Sequence, residues 1–258
     1  MSLRLMLAAG LAFAAATTAA QAEPLKVAFA AEPYPPFTYK SSSGDWAGFE
    51  IDLAQEICKK MEVECVQAPT GWGGIIPALT SGKVDMILGS MSITEDREKV
   101  IDFTDPYYYS SAVYVAPKGT EFSGEGDLKG KTLGIQGSTT HASYARAALT
   151  GKRIQMKIYD TQEQVNRDLL AGRLDIMLAD QIGMAELLKR DEGQALEIVG
   201  KAPAHEAFGS GVGIGVRESD TELKEKLNVA VAAVLEDGSC SKLSNAYFGT
   251  DICGGNTD

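Results

Sequence analysis

The 258-residue sequence is poor in histidine, cysteine and positive charge: it has two His and four Cys, and 24 Lys plus Arg against 35 Asp plus Glu, for a formal net charge of −11. The shortage of cations argues against a nucleic acid or an anionic membrane as the main partner, since both need a basic face to displace counterions or bind headgroups. Neither His141 nor His205 stands at metal-ligand spacing from a cysteine, and two histidines offer little general acid or base chemistry. No Gly-x-Ser-x-Gly elbow occurs, which counts against a Ser-His-Asp hydrolase. No metal, cofactor or catalytic residue is therefore expected. Hydrophobic residues at 45% and charged residues at 23% are ordinary for a globular protein, and the length suits one large domain or two medium ones.

Long apolar runs are also lacking, with one exception. Arg4 precedes Leu5–Ala16, and Ala20-Gln21-Ala22 supplies the small-x-small pattern cut by signal peptidase. The run is shorter than the roughly 20 residues that span a bilayer. Residues 1–22 are therefore expected to be a signal peptide and Glu23 the start of a soluble, secreted chain, with no cysteine near the cut to carry a lipid. Export sets the reading of the four cysteines. In an oxidising compartment, two local bridges, Cys58–Cys65 and Cys240–Cys253, are the simplest of three connectivities, with zinc as the alternative.

Short β-branched runs alternate with segments of helical period, the mark of an α/β protein. Strands are expected at Leu25–Ala30, Val63–Ala68, Val84–Gly89, Lys131–Gln136, Ile154–Tyr159 and Leu174–Ala179, with a Gly-rich strand at Gly211–Arg217. Helices are expected at Phe49–Met61, Trp72–Thr80, Thr94–Val100, Thr139–Leu149, Glu163–Ala171, Gln181–Lys189, Thr221–Leu235 and Ser239–Tyr247. An internal echo organises them: Ser81–Leu88 (SGKVDMIL) matches Ala171–Leu178 (AGRLDIML) in residue type at each position. In open α/β sheets ligands bind beyond the carboxyl ends of the strands, here Gly89-Ser90 and Ala179-Asp180. Two similar lobes would set these groups across one cleft.

Thr94 is a good N-cap, which puts Arg97 in a first helical turn, as a solvated surface charge or as the partner of a bound carboxylate. Gln136-Gly137-Ser138-Thr139-Thr140 reads as a second anion site or as plain helix capping. Asp180 reads as a receiver for an ammonium or as an N-cap. Together, a cation site and an anion site describe a zwitterionic ligand.

At this point the motifs Glu32-Pro33-Tyr34-Pro35-Pro36-Phe37, Gly48-Phe49-Glu50-Ile51-Asp52-Leu53-Ala54, Ser90-Met91-Ser92-Ile93-Thr94-Glu95-Asp96-Arg97 and Ile101-Asp102-Phe103-Thr104-Asp105-Pro106-Tyr107 become informative as an ordered set. The set resembles the family 3 solute-binding proteins, periplasmic receptors of amino-acid ABC importers, over nearly the whole mature chain. The resemblance implies a two-lobed α/β periplasmic binding protein fold, the second lobe inserted into the first through a two-stranded hinge: residues 23–110 and 208–258 in lobe 1, residues 111–207 in lobe 2. It implies that Arg97 clamps the ligand carboxylate, assisted by Ser92 and the Ser138-Thr139 turn. Ser90 and Asp180 would take the α-amino group, Tyr34 and Trp72 would line the side-chain pocket, and Gly89 is a further ligand-binding position. Cys58 and Cys65 match a disulfide loop of basic amino-acid and opine receptors. Ala31 departs from an acidic residue of several such receptors, and Gly89 from a common serine. The aromatic faces, and Glu32 as a distal carboxylate, favour a polar or cationic long-chain amino acid, or an opine, delivered to a membrane-embedded ABC permease by a monomeric receptor. A secreted dehydratase of prephenate-like cyclic acids on the same fold is the alternative.

Overall fold

The computed structural model describes residues 23–255; the expected signal peptide, residues 1–22, lies outside the described residues. The chain opens with β1 (Leu25–Ala30), the hairpin of β2 (Tyr39–Lys40) and β3 (Trp46–Ala47), then α1 (Phe49–Lys60), β4 (Cys65–Thr70), α2 (Ile75–Thr80), β5 (Met86–Ile87), α3 (Glu95–Glu98) and β6 (Asp102–Phe103). A second series follows: β7 (Ala112–Pro117), β8 (Thr132–Gln136), α4 (Thr140–Tyr144), β9 (Gln155–Tyr159), α5 (Gln162–Leu170), β10 (Ile176–Asp180), α6 (Gln181–Leu188) and β11 (Leu196–Lys201). The chain then returns through β12 (Gly215–Val216) to α7 (Thr221–Glu236) and α8 (Ser239–Phe248).

These strands form two sheets of the same design. The first has the order β4-β1-β5-β12-β6 and the second β9-β8-β10-β7-β11. In each, three parallel strands are joined by an antiparallel fourth and, beyond it, a fifth that runs parallel to the first three, the pattern of two βαβαβ units with crossing strands added. Because β12 belongs to the first sheet, the second is inserted into it. The chain passes between the sheets twice, and the two passes pair at Tyr108 and Val212: the Val212 N–H donates to the Tyr108 carbonyl, and the Val212 carbonyl accepts the Tyr107 N–H. The fold is thus α/β and two-lobed.

The internal echo corresponds to one structural device used twice. Gly82 and Gly172 end α2 and α5 with φ of 73° and 69°, a left-handed conformation that glycine adopts without Cβ strain. Asp85 then accepts the backbone N–H of Lys26 at 2.9 Å, and Asp175 accepts that of Thr132 at 2.6 Å. Each carboxylate thereby bonds the neighbouring parallel strand, β1 or β8, and sets the register of the strand that follows it.

α1 forms because Phe49, Leu53 and Ile57 recur on one face, while Gln55, Lys59 and Lys60 face solvent. Each fully buried apolar side chain contributes about 1.5–3 kcal/mol, and Leu53→Ala would cost about 2–5 kcal/mol. The same face carries Glu50, which is fully buried. The Cys58–Cys65 bridge ties the end of α1 to β4, and the Cys240–Cys253 bridge ties α8 to the segment beside Tyr108. All four cysteines are consumed in these two bridges, so the zinc reading fails.

Several elements differ from their sequence expectations. The second strand begins at Cys65 rather than Val63, since Val63 and Glu64 complete the turn out of α1. Trp72–Thr80 divides into a 3₁₀ turn over Trp72–Gly74 and α2, and Thr139–Leu149 into α4 and a π turn over Ala145–Leu149. The Gly-rich strand is reduced to β12, and β11 was not anticipated. No helix among the described residues is long and apolar enough to cross a membrane.

Candidate functional site

A cavity of about 650 Å³ opens between the two sheets. Strand ends contribute to its wall: Ala30 from β1, Gly89 and Ser90 after β5, Gln136 from β8 and Asp180 from β10. That is the crevice beyond the carboxyl ends where open α/β sheets bind ligands. Both passes between the lobes contribute as well, through Tyr108 and Val212.

Arg97 lies on the first-lobe side. Thr94 caps α3, its hydroxyl accepting the Arg97 N–H at 3.3 Å. The guanidinium donates to the Ser92 carbonyl at 2.7 Å and, across the cleft, to the Ser138 carbonyl at 3.3 Å. A guanidinium has five N–H donors, so these two bonds fix its plane and leave donors for a carboxylate. Burial lowers Arg97 to about 10, and it stays cationic at neutral pH. Its carbon lies 5.7 Å from the centre of the Trp72 ring. The Trp72 indole N–H also donates to the Ser138 carbonyl, at 3.1 Å, and its backbone N–H donates to Glu32 at 3.1 Å. Trp72, Glu32 and Ser92 all line the cavity.

Across the cleft the Gln136–Thr140 turn is divided in its roles. Ser138, at a φ of 57°, points its carbonyl at Trp72 and Arg97. The Thr139 hydroxyl accepts the Ala142 N–H and donates to the Gln136 carbonyl, so the capping reading of this residue holds, and Thr139 also lines the cavity. Asp180 takes its capping reading, accepting the Gly183 N–H at 3.0 Å at the start of α6, and stands at the cavity wall as well. Burial raises its carboxyl above the ordinary aspartate value.

Tyr34 stacks on Phe37, with ring centres 5.4 Å apart, and reaches across to the start of α6. Burial, and then Asp180, push its phenol well above its ordinary value. Gly89 lines the cavity with its Cα turned to β1, where a Cβ would stand 3.2 Å from the Phe29 Cα. All the sequence-predicted site residues thus converge on one cleft, Ser138 through its carbonyl.

Some groups at this cleft gave little signal in the sequence. His141 lines the cavity, and burial, followed by Arg97, lowers it to about 4, which leaves a neutral imidazole at pH 7. His205 and Phe208 come from the return pass and pack on Tyr144 with ring centres 5.1 and 4.7 Å away. Lys201 ends β11. Glu50 sits beneath Ser90 and accepts its hydroxyl at 2.8 Å. An acid in the first turn of a helix reads as solvated, and only the tertiary fold buries this one.

The sequence matches the bacterial extracellular solute-binding proteins, family 3, over residues 25–250. It is 38% identical over 242 residues to the L-arginine-binding protein of Pseudomonas aeruginosa, covering 93% of each chain. It is 37% identical over 257 residues to the histidine-binding periplasmic protein of Salmonella typhimurium, covering 98% of this chain and 99% of that one. Among solved structures, an ancestral arginine-binding protein bound to arginine superposes with a TM-score of 0.81 at 34% identity, over 89% of this chain and all of the other. With these likenesses spanning both lobes and the cleft between them, the chain belongs to the family 3 bacterial extracellular solute-binding proteins.

Proposed function

We propose that this protein is the periplasmic receptor of an ABC importer, which holds a polar or cationic long-chain amino acid, or an opine derived from one, between its lobes. The observation that carries this reading is the polarity of the cavity: Arg97 on one lobe and Asp180 on the other, with the aromatic walls Tyr34 and Trp72 between sheets of matched design. Arg97 pairs with the α-carboxylate and Asp180 with the α-ammonium, while the aromatic faces take up the stem and head of the side chain. Glu32, with one oxygen on the Trp72 N–H, lines the cavity and offers it a negative charge where Ala31 has none. The names of the relatives, arginine- and histidine-binding, agree with a nitrogen-rich side chain.

In this reading residues 23–110 and 208–258 form one lobe and residues 111–207 the other, the receptor acts as a monomer, and the ligand selects the arrangement in which both lobes touch it. The dehydratase alternative needs a proton donor near neutral pH. Of the two histidines at the cavity wall, His141 is lowered to about 4 and is a poor fit to that task, and the His205 Nδ1 is taken up by the Ala207 N–H. Isothermal titration against arginine, lysine, ornithine, histidine, glutamine, glutamate, aspartate and an opine, run beside a prephenate dehydratase assay, tests the proposal. Tight binding of a cationic or polar amino acid or the opine, without turnover, is the expected result. Binding of glutamate or aspartate alone would overturn the ligand class, and dehydration of prephenate would overturn the receptor reading.

A further inference from the structure

Glu50 is fully buried, and its partners are three hydroxyls and the Ser90 backbone N–H. Its Oε1 accepts the Ser90 hydroxyl at 2.8 Å and, more weakly, that of Tyr108 at 3.5 Å, while Oε2 accepts the Tyr107 hydroxyl at 2.8 Å. Among the described residues no Lys, Arg or His forms an ion pair with it. A buried carboxylate without a counter-charge is costly, and the nearest open volume in which a cation can sit is the cavity, one hydroxyl away.

Ser90 stands between the two. It lines the cavity and holds a φ of 59°, which turns the residue from the end of β5 toward α1. A serine hydroxyl has one proton and two lone pairs. With its proton committed to Glu50, Ser90 can only accept from the cavity side. We propose that Glu50 is the positioning residue that fixes Ser90 as an acceptor and so makes this wall selective for an ammonium over a neutral or anionic group. The inference rests on the amino-acid reading of the cleft and names the element that recognises the α-amino group from the first lobe, opposite Asp180. Burial pushes Glu50 up to about 7, so a cation at Ser90 favours the ionised form.

The test compares L-arginine, L-histidine and L-glutamine, each with its desamino analogue, by calorimetric titration of wild type, Glu50→Gln, Glu50→Asp, Ser90→Ala and the Glu50→Gln/Ser90→Ala double variant. A carboxamide can donate to Ser90 and reverse its hydroxyl. Glu50→Gln is therefore expected to weaken the amino acid by about tenfold or more and the desamino analogue by less than about twofold. Glu50→Asp should keep part of the preference, and Glu50→Gln should add nothing to the preference lost in Ser90→Ala. A loosened fold would weaken both members of each pair alike, and that result would overturn the inference, as would an unchanged preference in Glu50→Gln. If wild type binds none of the three amino acids, the ligand class fails and the inference fails with it; if wild type binds and the preference does not move, only the inference fails.

Discussion

The Tyr34 hydroxyl of the first lobe packs so closely on Gly183 of α6 that a Cβ added to the glycine would stand 2.1 Å from it. The contact exists only when the lobes meet, so its steric cost falls on the closed arrangement. Relieving such an overlap costs about 1–3 kcal/mol, and Gly183→Ala should weaken ligand binding by roughly 5- to 150-fold with little change in the melting temperature of the unliganded protein. Calorimetric titration together with a melting curve checks this; unchanged affinity would mean that Tyr34 and Gly183 are not pressed together in the complex.

Asp180 serves two masters, α6 and the cavity, and one substitution separates them. Asparagine caps a helix as well as aspartate does, so Asp180→Asn should leave stability nearly unchanged. Removing the charge that faces an ammonium should cost about tenfold or more in affinity and shrink the ligand-induced rise in melting temperature accordingly. Equal thermal shifts at a ligand concentration that leaves wild type unsaturated would reduce Asp180 to a cap.

Glu50 gives the protein a pH signature. Its ordinary value of 4.5 is raised to about 7 in the fold, chiefly by burial. Between those two values the folded protein holds a proton that the unfolded chain has released, so this group's contribution to stability is complete below 4.5 and declines as pH rises toward 7. Ligand affinity runs the other way and should fall as pH drops below about 7, because protonated Glu50 no longer favours a cation at Ser90. The groups facing Glu50 are Ser90, Tyr107 and Tyr108; beyond them stands Asp180, itself raised by burial, and on α8 Tyr247 is occupied by Asp52. Melting curves and titrations of wild type and Glu50→Gln across this range should show the variant with a flatter profile in both. Parallel profiles would assign the dependence to Asp180 instead.

Neither disulfide lines the cavity: one lies at the end of α1, and the other joins α8 to Cys253, which pairs with the cavity residue Tyr108. Closing a loop as short as Cys58–Cys65 contributes a few kcal/mol or less. Reduction should lower the melting temperature and leave the order of ligand preference intact. A reordered panel after reduction would show that these bridges shape the pocket.

Much of this was legible in the sequence because it is carried by local chemistry. The echo between Ser81–Leu88 and Ala171–Leu178 shows two Gly caps, each followed by a basic residue and a buried strand, and the structure uses both copies in the same way, adding a backbone hydrogen bond accepted by each aspartate carboxylate. Thr94 and Asp180 announce themselves as caps, and each cap carries a cavity residue with it. What was hidden depends on tertiary burial. Glu50 follows Phe49 in a first turn where acids are usually solvated, and nothing local shows that Tyr107 and Tyr108 will close over it. Leu196–Lys201 follows a 3₁₀ turn and is an edge strand that, among the described residues, pairs only with β7, far earlier in the chain, so its place in the sheet is set by a distant partner. Lys201 and His205 reach the cavity because the chain returns between the lobes, a property of topology.

The central claim is that one zwitterion spans the cleft with its carboxylate on Arg97. Calorimetric titration of wild type and Arg97→Ala with L-arginine tests it most directly. Removing one partner of a desolvated, charge-assisted pair costs roughly 2–5 kcal/mol, so the account predicts tight binding by wild type and a loss of tens- to thousands-fold in the variant, with the fold retained. Binding of L-arginine by Arg97→Ala within about threefold of wild type would contradict it and leave Arg97 as a strut between Ser92 and Ser138.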